Sequence, residues 1–329
     1  MLSFNQFELS SSPTLKSVPK VSIDAFTPEL FARHYRMPGV PVILTGMISP
    51  QCNWTLEYLG HLLGDQQFLL RRYGAERYQQ DKRTWTSIGS GVPPESRLFA
   101  EYADLLRTRQ AHEQDIYLAK CSIEHTPLLK TAAVEQITSH FSQLGLQQPA
   151  SRLNLWVGPG GHVECLHYDP TDGTLIQLHG SKQVVLFPPS QTANLYPFPV
   201  YIHLRYGMKV RSWFSQVYPD RPDFQAFPKF RQALNHRYDL ILQQGEVLYI
   251  PAGWWHEVIS LKDDPLGDDM VCSVNRFWQV PTLRALTSWE RWRAFLGSAC
   301  AMPSVGLSLS MALLSRDRQH KIKQIFQMF

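Results

Sequence analysis

Gly160–Pro189, GGHVECLHYDPTDGTLIQLHGSKQVVLFPP, decides how the rest of the chain is read, because it sets a histidine and a carboxylate two residues apart in a segment patterned as a β-strand. In a strand, residues i and i+2 share a face, so His167 and Asp169 reach toward one point while Tyr168 turns away. A second stretch answers it. In Gly245–Ser260, GEVLYIPAGWWHEVIS, a strand and a tight turn deliver His256. Two histidines and one carboxylate on one face of a metal leave its remaining positions open, the arrangement of non-haem Fe(II) oxygenases.

Outward from these stretches the texture stays that of short strands: RLNLWVG, TLIQLHG, QVVLFPP, YDLILQQG, EVLYIP and MVCSVNRFW, punctuated by Gly and Pro. Seven or so closely spaced strands over residues 151–280 predict a sandwich or barrel. The stretch Asn194–His236, rich in Pro and aromatics, reads as an insert that serves as lid or substrate wall. Residues 21–150 read as a mixed α/β part packing on the barrel. There Thr27 and Pro28 open a helix ending before Pro38, Val40–Thr45 and Gln66–Arg72 are strands, and Trp54–Gly64, Phe99–Gln110 and Leu128–Gly145 show helical spacing. Tyr73–Pro94 reads as a surface excursion. Residues 281–329 turn helical again, as TLRALTSWERWRAFLG and then LSLSMALLSRDRQHKIKQIFQMF. The second segment carries an apolar stripe, Leu307, Met311, Leu314, Ile322, Ile325 and Phe326, which could pair two chains or dock back on its own.

Composition narrows the class. The chain has 329 residues, 44% hydrophobic and 18% charged, with a net charge of +4 and scattered basic residues, so no nucleic-acid footprint stands out. The five cysteines are widely spaced without a CxxC pair, which points to a reducing, cytoplasmic compartment, or the nucleus in a eukaryote. The N-terminus lacks a secretory pattern, and residues 1–20 read as a tail. Ala299–Leu314, interrupted by Pro303 and Gly306, is too short for a membrane span of roughly 20 residues, so no membrane association is expected.

His167-Tyr168-Asp169, Lys182 in GSKQVVLFPP, NLYPFPV, PDFQAFPKF and GEVLYIPAGWWHEVIS, in this order, resemble the JmjC-type cupin oxygenases, and among them most the asparaginyl hydroxylase that inhibits the hypoxia-inducible factor. The likeness runs from about Asp115 to about Trp278. It implies a mainly β fold with flanking helices, a double-stranded β-helix that binds Fe(II) and uses 2-oxoglutarate and O2 as cosubstrates. On this resemblance His167, Asp169 and His256 are the iron ligands. Lys182 and Tyr117 hold the far carboxylate of 2-oxoglutarate, and Asn275 lies near its iron-side end. A dicarboxylate chelating iron at one end needs a fixed cation and a hydroxyl donor at the other.

Departures from the family pattern fall on other positions. Glu164 stands where the family has Ser or Thr bonding the far carboxylate, and two like charges about 4 Å apart cost on the order of 4 kcal/mol at an effective dielectric of about 20. Gly173 replaces an asparagine, Ala119-Lys120 a glutamine pair, and Phe277 a tryptophan. Glu164, Trp255 and Phe277 are candidate substrate-side residues. Trp254 and Trp255 could also brace the turn that aims His256, while Arg205, Lys209 and Arg211 read as solvated loop charges. His162 and Cys165 could line the site, with packing the better reading of the cysteine.

The expected activity is hydroxylation of an unactivated C–H bond in an amino-acid side chain of a peptide or protein. Alternatives are an oxygenase of a small metabolite, a non-oxygenase cupin, or a silent relative acting through protein contacts.

Overall fold

The computed structural model describes residues 16–89, 91–262, 269–315 and 317–318. Thirteen strands order the described residues: β1 (Lys20–Ser22), β2 (Val42–Thr45), β3 (Gln67–Arg72), β4 (Glu95–Leu98), β5 (Ile116–Ser122), β6 (Asn154–Pro159), β7 (Val163–Tyr168), β8 (Asp172–His179), β9 (Lys182–Phe187), β10 (Tyr238–Leu242), β11 (Val247–Ile250), β12 (Trp255–Ser260) and β13 (Met270–Trp278). They form two sheets. Nine strands run β1-β2-β11-β8-β13-β6-β5-β3-β4 and four run β10-β9-β12-β7. This is the expected cupin architecture, a mainly β body with flanking helices. Strands from the first 122 residues extend the large sheet at both edges, β2 beside β11 and β5 beside β6.

The helices before the barrel are α1 (Pro28–Phe31), α2 (Leu56–Leu63), α3 (Phe99–Arg107), α4 (Gln110–Gln114) and α5 (Ala132–Gln143). Two of them start as their sequences dictate. Thr27 Oγ1 accepts from the Leu30 amide at 3.3 Å and Thr55 Oγ1 from the Tyr58 amide at 3.2 Å, each satisfying a donor left over at a helix start. Their apolar faces, with Phe31, Trp54, Leu59, Phe99 and Phe141, close the main core against the large sheet. A second core gathers the insert, including the short helices α6 (Ile202–Tyr206) and α7 (Phe230–Leu234). Leu195, Phe198, Phe214 and Phe230 pack there against Tyr168, Phe187 and Trp255 of the small sheet.

The C-terminal part differs from its expected form. After α8 (Thr282–Thr287) the chain breaks at Ser288, whose Oγ accepts from the Arg291 amide at 3.4 Å, and then runs as one helix, α9 (Trp289–Leu313), straight through Pro303. Proline normally costs a helix interior one hydrogen bond and a clash, so sequence alone places a break there. The apolar run that looked too short for a span thus belongs to a 25-residue helix, long and apolar enough to cross a membrane by length and composition alone; 17% of its most apolar 18-residue window is buried. Ile322, Ile325 and Phe326 of the expected stripe lie outside the described residues.

Candidate active site

β7 and β12 are antiparallel neighbours, and their register places His167 directly across from His256, so both rings rise from the same face with centroids 4.3 Å apart. Asp169 follows β7 at once. Its Oδ2 lies 3.5 Å from His256 Nε2, and one ligating atom from each of the three residues falls within 4.8 Å of the others. Hydrogen bonds fix the tautomers. His167 Nδ1 meets the Cys165 carbonyl at 2.8 Å and His256 Nδ1 the Trp254 carbonyl at 3.0 Å. A carbonyl only accepts, so each Nδ1 carries the proton and each Nε2 offers its lone pair to a metal.

Neighbours hold the rings in these planes. Phe214 of the insert stacks on His167, with centroids 4.8 Å apart and planes inclined by 13°. The turn before His256 needs Gly253 at φ +83°, and the Gly253 amide donates to the Asp169 carbonyl at 2.9 Å, tying two ligand-bearing segments together. Burial, reinforced by His167, pushes His256 down to about 4. It is therefore a neutral imidazole at neutral pH, the form that ligates. Two imidazoles and a carboxylate are a donor set that fits Fe(II) and leaves positions open.

One pocket adjoins this triad and is lined by Lys182, Tyr117 and Asn275 together with the three metal-facing residues. Lys182 is buried on β9 and donates to Ser273 Oγ at 2.6 Å. Burial lowers it to about 8, so it is still a cation at neutral pH. Asn275 Oδ1 accepts from Asn154 Nδ2 at 3.2 Å and Trp156 Nε1 at 2.9 Å, which fixes its amide orientation. Tyr117 is buried and stacks on His162 with centroids 3.8 Å apart. His162 is itself held by Asp115 at 2.7 Å, and Asp115 Oδ2 accepts from Tyr78 Oη at 2.9 Å. A buried cation, an aromatic hydroxyl and an amide around one pocket suit a dicarboxylate that reaches the metal.

The remaining expectations separate. Glu164 lies three residues before His167, an odd spacing that strand alternation sends to the opposite face. A bulge reverses this: His256 pairs with His167 but Val258 with Glu164, so β7 holds one residue more than β12, and Glu164 lines the pocket. Phe277 also lines it, next to Gly173. Trp255, expected on the substrate side, faces away. It is fully buried, donates to Thr192 Oγ1 at 2.9 Å and packs edge-on against Tyr168, because its neighbour His256 takes the inner face. Cys165 is buried in the second core, as packing predicted, whereas His162 lines the pocket. Arg211, read as a solvated loop charge, lines it too, as do Lys120 and Arg71, of which only Arg71 gave no sign in the sequence. Lys120 carried one signal, its place where the family has glutamine.

A family model described as a cupin-like domain matches residues 28–282. The chain belongs to the cupin-like domain family. It is 28% identical over 278 residues to "Lysine-specific demethylase 8" of Xenopus tropicalis, covering 80% of this chain and 53% of that protein. With "Arginine-specific demethylase JMJ22" of Arabidopsis thaliana it shares 28% identity over 247 residues, 71% of this chain and 42% of the relative. "JmjC domain-containing protein D" of Dictyostelium discoideum is 41% identical over 109 residues, 33% of this chain and 22% of that protein. The chain thus spans about half the length, or less, of these curated relatives. Fe(II), 2-oxoglutarate and O2 are the cofactor set of this cupin-like family's JmjC members, and His167, Asp169 and His256 are a donor set that could hold a metal ion.

Proposed function

We propose that the protein is an Fe(II)- and 2-oxoglutarate-dependent dioxygenase that hydroxylates an unactivated C–H bond in an amino-acid side chain of a peptide or protein. The observation that carries this is the convergence of one ligating atom each from His167, Asp169 and His256 within 4.8 Å, beside a pocket holding the buried Lys182 cation. When bound, iron with 2-oxoglutarate and O2 supplies the oxidising chemistry. The chain's own residues bind and orient. Lys182 supplies the charge that fixes a far carboxylate, Tyr117 a hydroxyl donor, and Asn275 an amide whose oxygen is already engaged by Asn154 and Trp156, so that its NH2 group is left to donate. Phe214 stacks on His167, and Phe277 gives the same pocket a second aromatic wall.

The resemblance to the asparaginyl hydroxylase supports a hydroxylated, retained side chain as product. The printed names of the relatives favour a second reading, oxidation of N-methyl groups on lysine or arginine. Both readings share the metal site and differ in product. The test is 2-oxoglutarate-dependent succinate formation across a peptide set, with mass spectrometry of the peptide: gain of one oxygen atom supports hydroxylation, loss of a methyl group supports the second reading, and absence of succinate with every peptide removes both.

Association belongs to the same proposal. Trp289, Trp292, Phe295 and Leu296 are exposed along α9, and pairing of two chains across this face would cover them. Sedimentation of the full chain, with Phe295→Glu as comparison, checks this: a dimer that the substitution splits is expected, and a monomer at all concentrations removes it.

A further inference from the structure

His162 Nε2 is buried and has no hydrogen-bond partner among the described residues, although the residue lines the pocket beside the metal set. A buried polar atom left unmet is costly, and native structures seldom keep one without a task. The other ring nitrogen is taken. Nδ1 lies 2.7 Å from Asp115 Oδ1, and Tyr78 Oη donates to Asp115 Oδ2 at 2.9 Å. Burial pushes the Asp115 carboxyl up, but His162, Tyr78 and Arg77 together outweigh it and hold it below its ordinary range. Asp115 is therefore an acceptor only, so Nδ1 carries a proton and Nε2 is the atom left over. The ring has little room to turn. It stacks on Tyr117, with centroids 3.8 Å apart and planes inclined by 12°, and meets Tyr73 edge-on at 4.9 Å.

Strand register shows which end of the pocket His162 occupies. Ser260 on β12 pairs with Lys182 on β9, and the Ser260 amide donates to the His162 carbonyl at 2.9 Å. His162, just before β7, thus stands level with Ser260 and Lys182, and all three line the pocket. The pairs Val258–Glu164 and then His256–His167 follow along β12 toward the metal. His162 is at the far end, with the cation. A carboxylate there offers two oxygens and about four acceptor sites, more than one ammonium and one phenol fill. Lys182 already donates to Ser273 Oγ at 2.6 Å as well. An imidazole protonated on both nitrogens supplies the missing donor, with Asp115 as counter-charge. The other titratable groups around the ring are the phenols of Tyr73, Tyr78 and Tyr117, each pushed up by burial and so neutral, and Glu164 and Lys182 on the pocket wall.

We propose that His162 binds the far carboxylate of the cosubstrate, donating from Nε2–H while Asp115 balances the charge of the ring. This rests on the oxygenase reading above and adds to it a third donor beside Lys182 and Tyr117.

The test compares two ligands on the full chain loaded with Mn(II): 2-oxoglutarate, and 2-oxovalerate, which has the same length and no far carboxylate. Binding is read by calorimetry. His162→Phe keeps a flat ring against Tyr117 and removes the donor. It should weaken 2-oxoglutarate about tenfold and leave 2-oxovalerate unchanged. Asp115→Asn keeps an acceptor for Nδ1–H without the charge, and should weaken 2-oxoglutarate about threefold with the same selectivity. Equal losses for both ligands would mean a structural role only, and an unchanged 2-oxoglutarate affinity in His162→Phe removes the contact; either result overturns the proposal. Wild type carries the test where a variant does not fold. In nitrogen-15 histidine spectra of the Zn(II)-loaded protein at about pH 8, where an ordinary histidine is neutral, the 2-oxoglutarate complex should show one histidine protonated on both nitrogens. A complex without it contradicts the assignment. The visible band of the Fe(II)–2-oxoglutarate chelate separates the two readings: a wild-type band with unchanged affinity in His162→Phe refutes His162 alone, whereas bound iron with no band in wild type refutes the oxygenase reading.

Discussion

The ring of Tyr117 lies flat across Gly158, so close that a Cβ added to the glycine would stand 1.8 Å from Tyr117 Cδ2. Only glycine permits the tyrosine to occupy this place between β5 and β6, stacked on His162. Gly158→Ala should therefore push Tyr117 from the pocket. We expect a loss of about 1–3 kcal/mol in stability from overpacking, and a weaker 2-oxoglutarate affinity with the metal site intact. Thermal unfolding and cosubstrate titration of the Mn(II)-loaded variant check both; unchanged cosubstrate affinity would remove Tyr117 from the pocket's working parts.

Lys182 is buried and lines the pocket, and under the proposed function it is the cation that holds the far carboxylate of the cosubstrate. Lys182→Ala should raise the 2-oxoglutarate dissociation constant roughly 100-fold, as expected for losing a charge-assisted contact in a dry site. The free lysine is charged below about 8 and neutral above it. Affinity measured from pH 7 to 9.5 should accordingly fall as pH rises, and a flat profile would show that the far carboxylate is held elsewhere.

His256 gives the metal-free protein an acid limit. Its folded-state value of about 4 lies below the ordinary histidine value of about 6.5, so between these limits the unfolded chain binds the extra proton. Stability is complete above about 6.5 and is lost as pH falls through about 4, by about 3 kcal/mol. Denaturant unfolding of wild type and His256→Gln across this window should show a slope in the first that is shallower in the second.

Much of the site was legible because its chemistry sits in local patterns. The His167–Asp169 pair follows from strand alternation, and His256 from a turn that glycine and proline announce. Glu164 and Lys120 were legible as departures from the family pattern, but not the route by which they reach the pocket: each arrives through a bulge that adds one residue to a strand, and alternation counted along the sequence then points to the wrong face. Arg71 and Arg211 join them only once β3 and the insert have packed. Trp255 failed as a substrate residue for the converse reason: with His256 on the inner face, its neighbour must take the outer one. Pro303 misled in the helical part because tertiary context carries α9 through a residue that ends most helices.

Asp172 explains how the region after the barrel supports the site. Fully buried, it accepts from Tyr249 Oη at 2.9 Å, from the Ala252 amide at 2.9 Å and from Arg284 Nη2 of α8 at 3.0 Å. It thus holds the turn that aims His256 and anchors the helix that follows. Asp172→Ala should cost about 3–5 kcal/mol by leaving Arg284 without its buried partner, and should loosen metal binding with it. Calorimetric unfolding and Fe(II) titration provide the check, and a variant with native stability would refute the anchoring role.

The most direct measurement is anaerobic titration of the Fe(II)-loaded protein with 2-oxoglutarate, following the weak visible charge-transfer band of the chelate, with His167→Ala alongside. A band that grows to saturation in the wild type and is missing from the variant is the expected result. Bound iron without any band would contradict the cosubstrate pocket built around Lys182, and with it the oxygenase function.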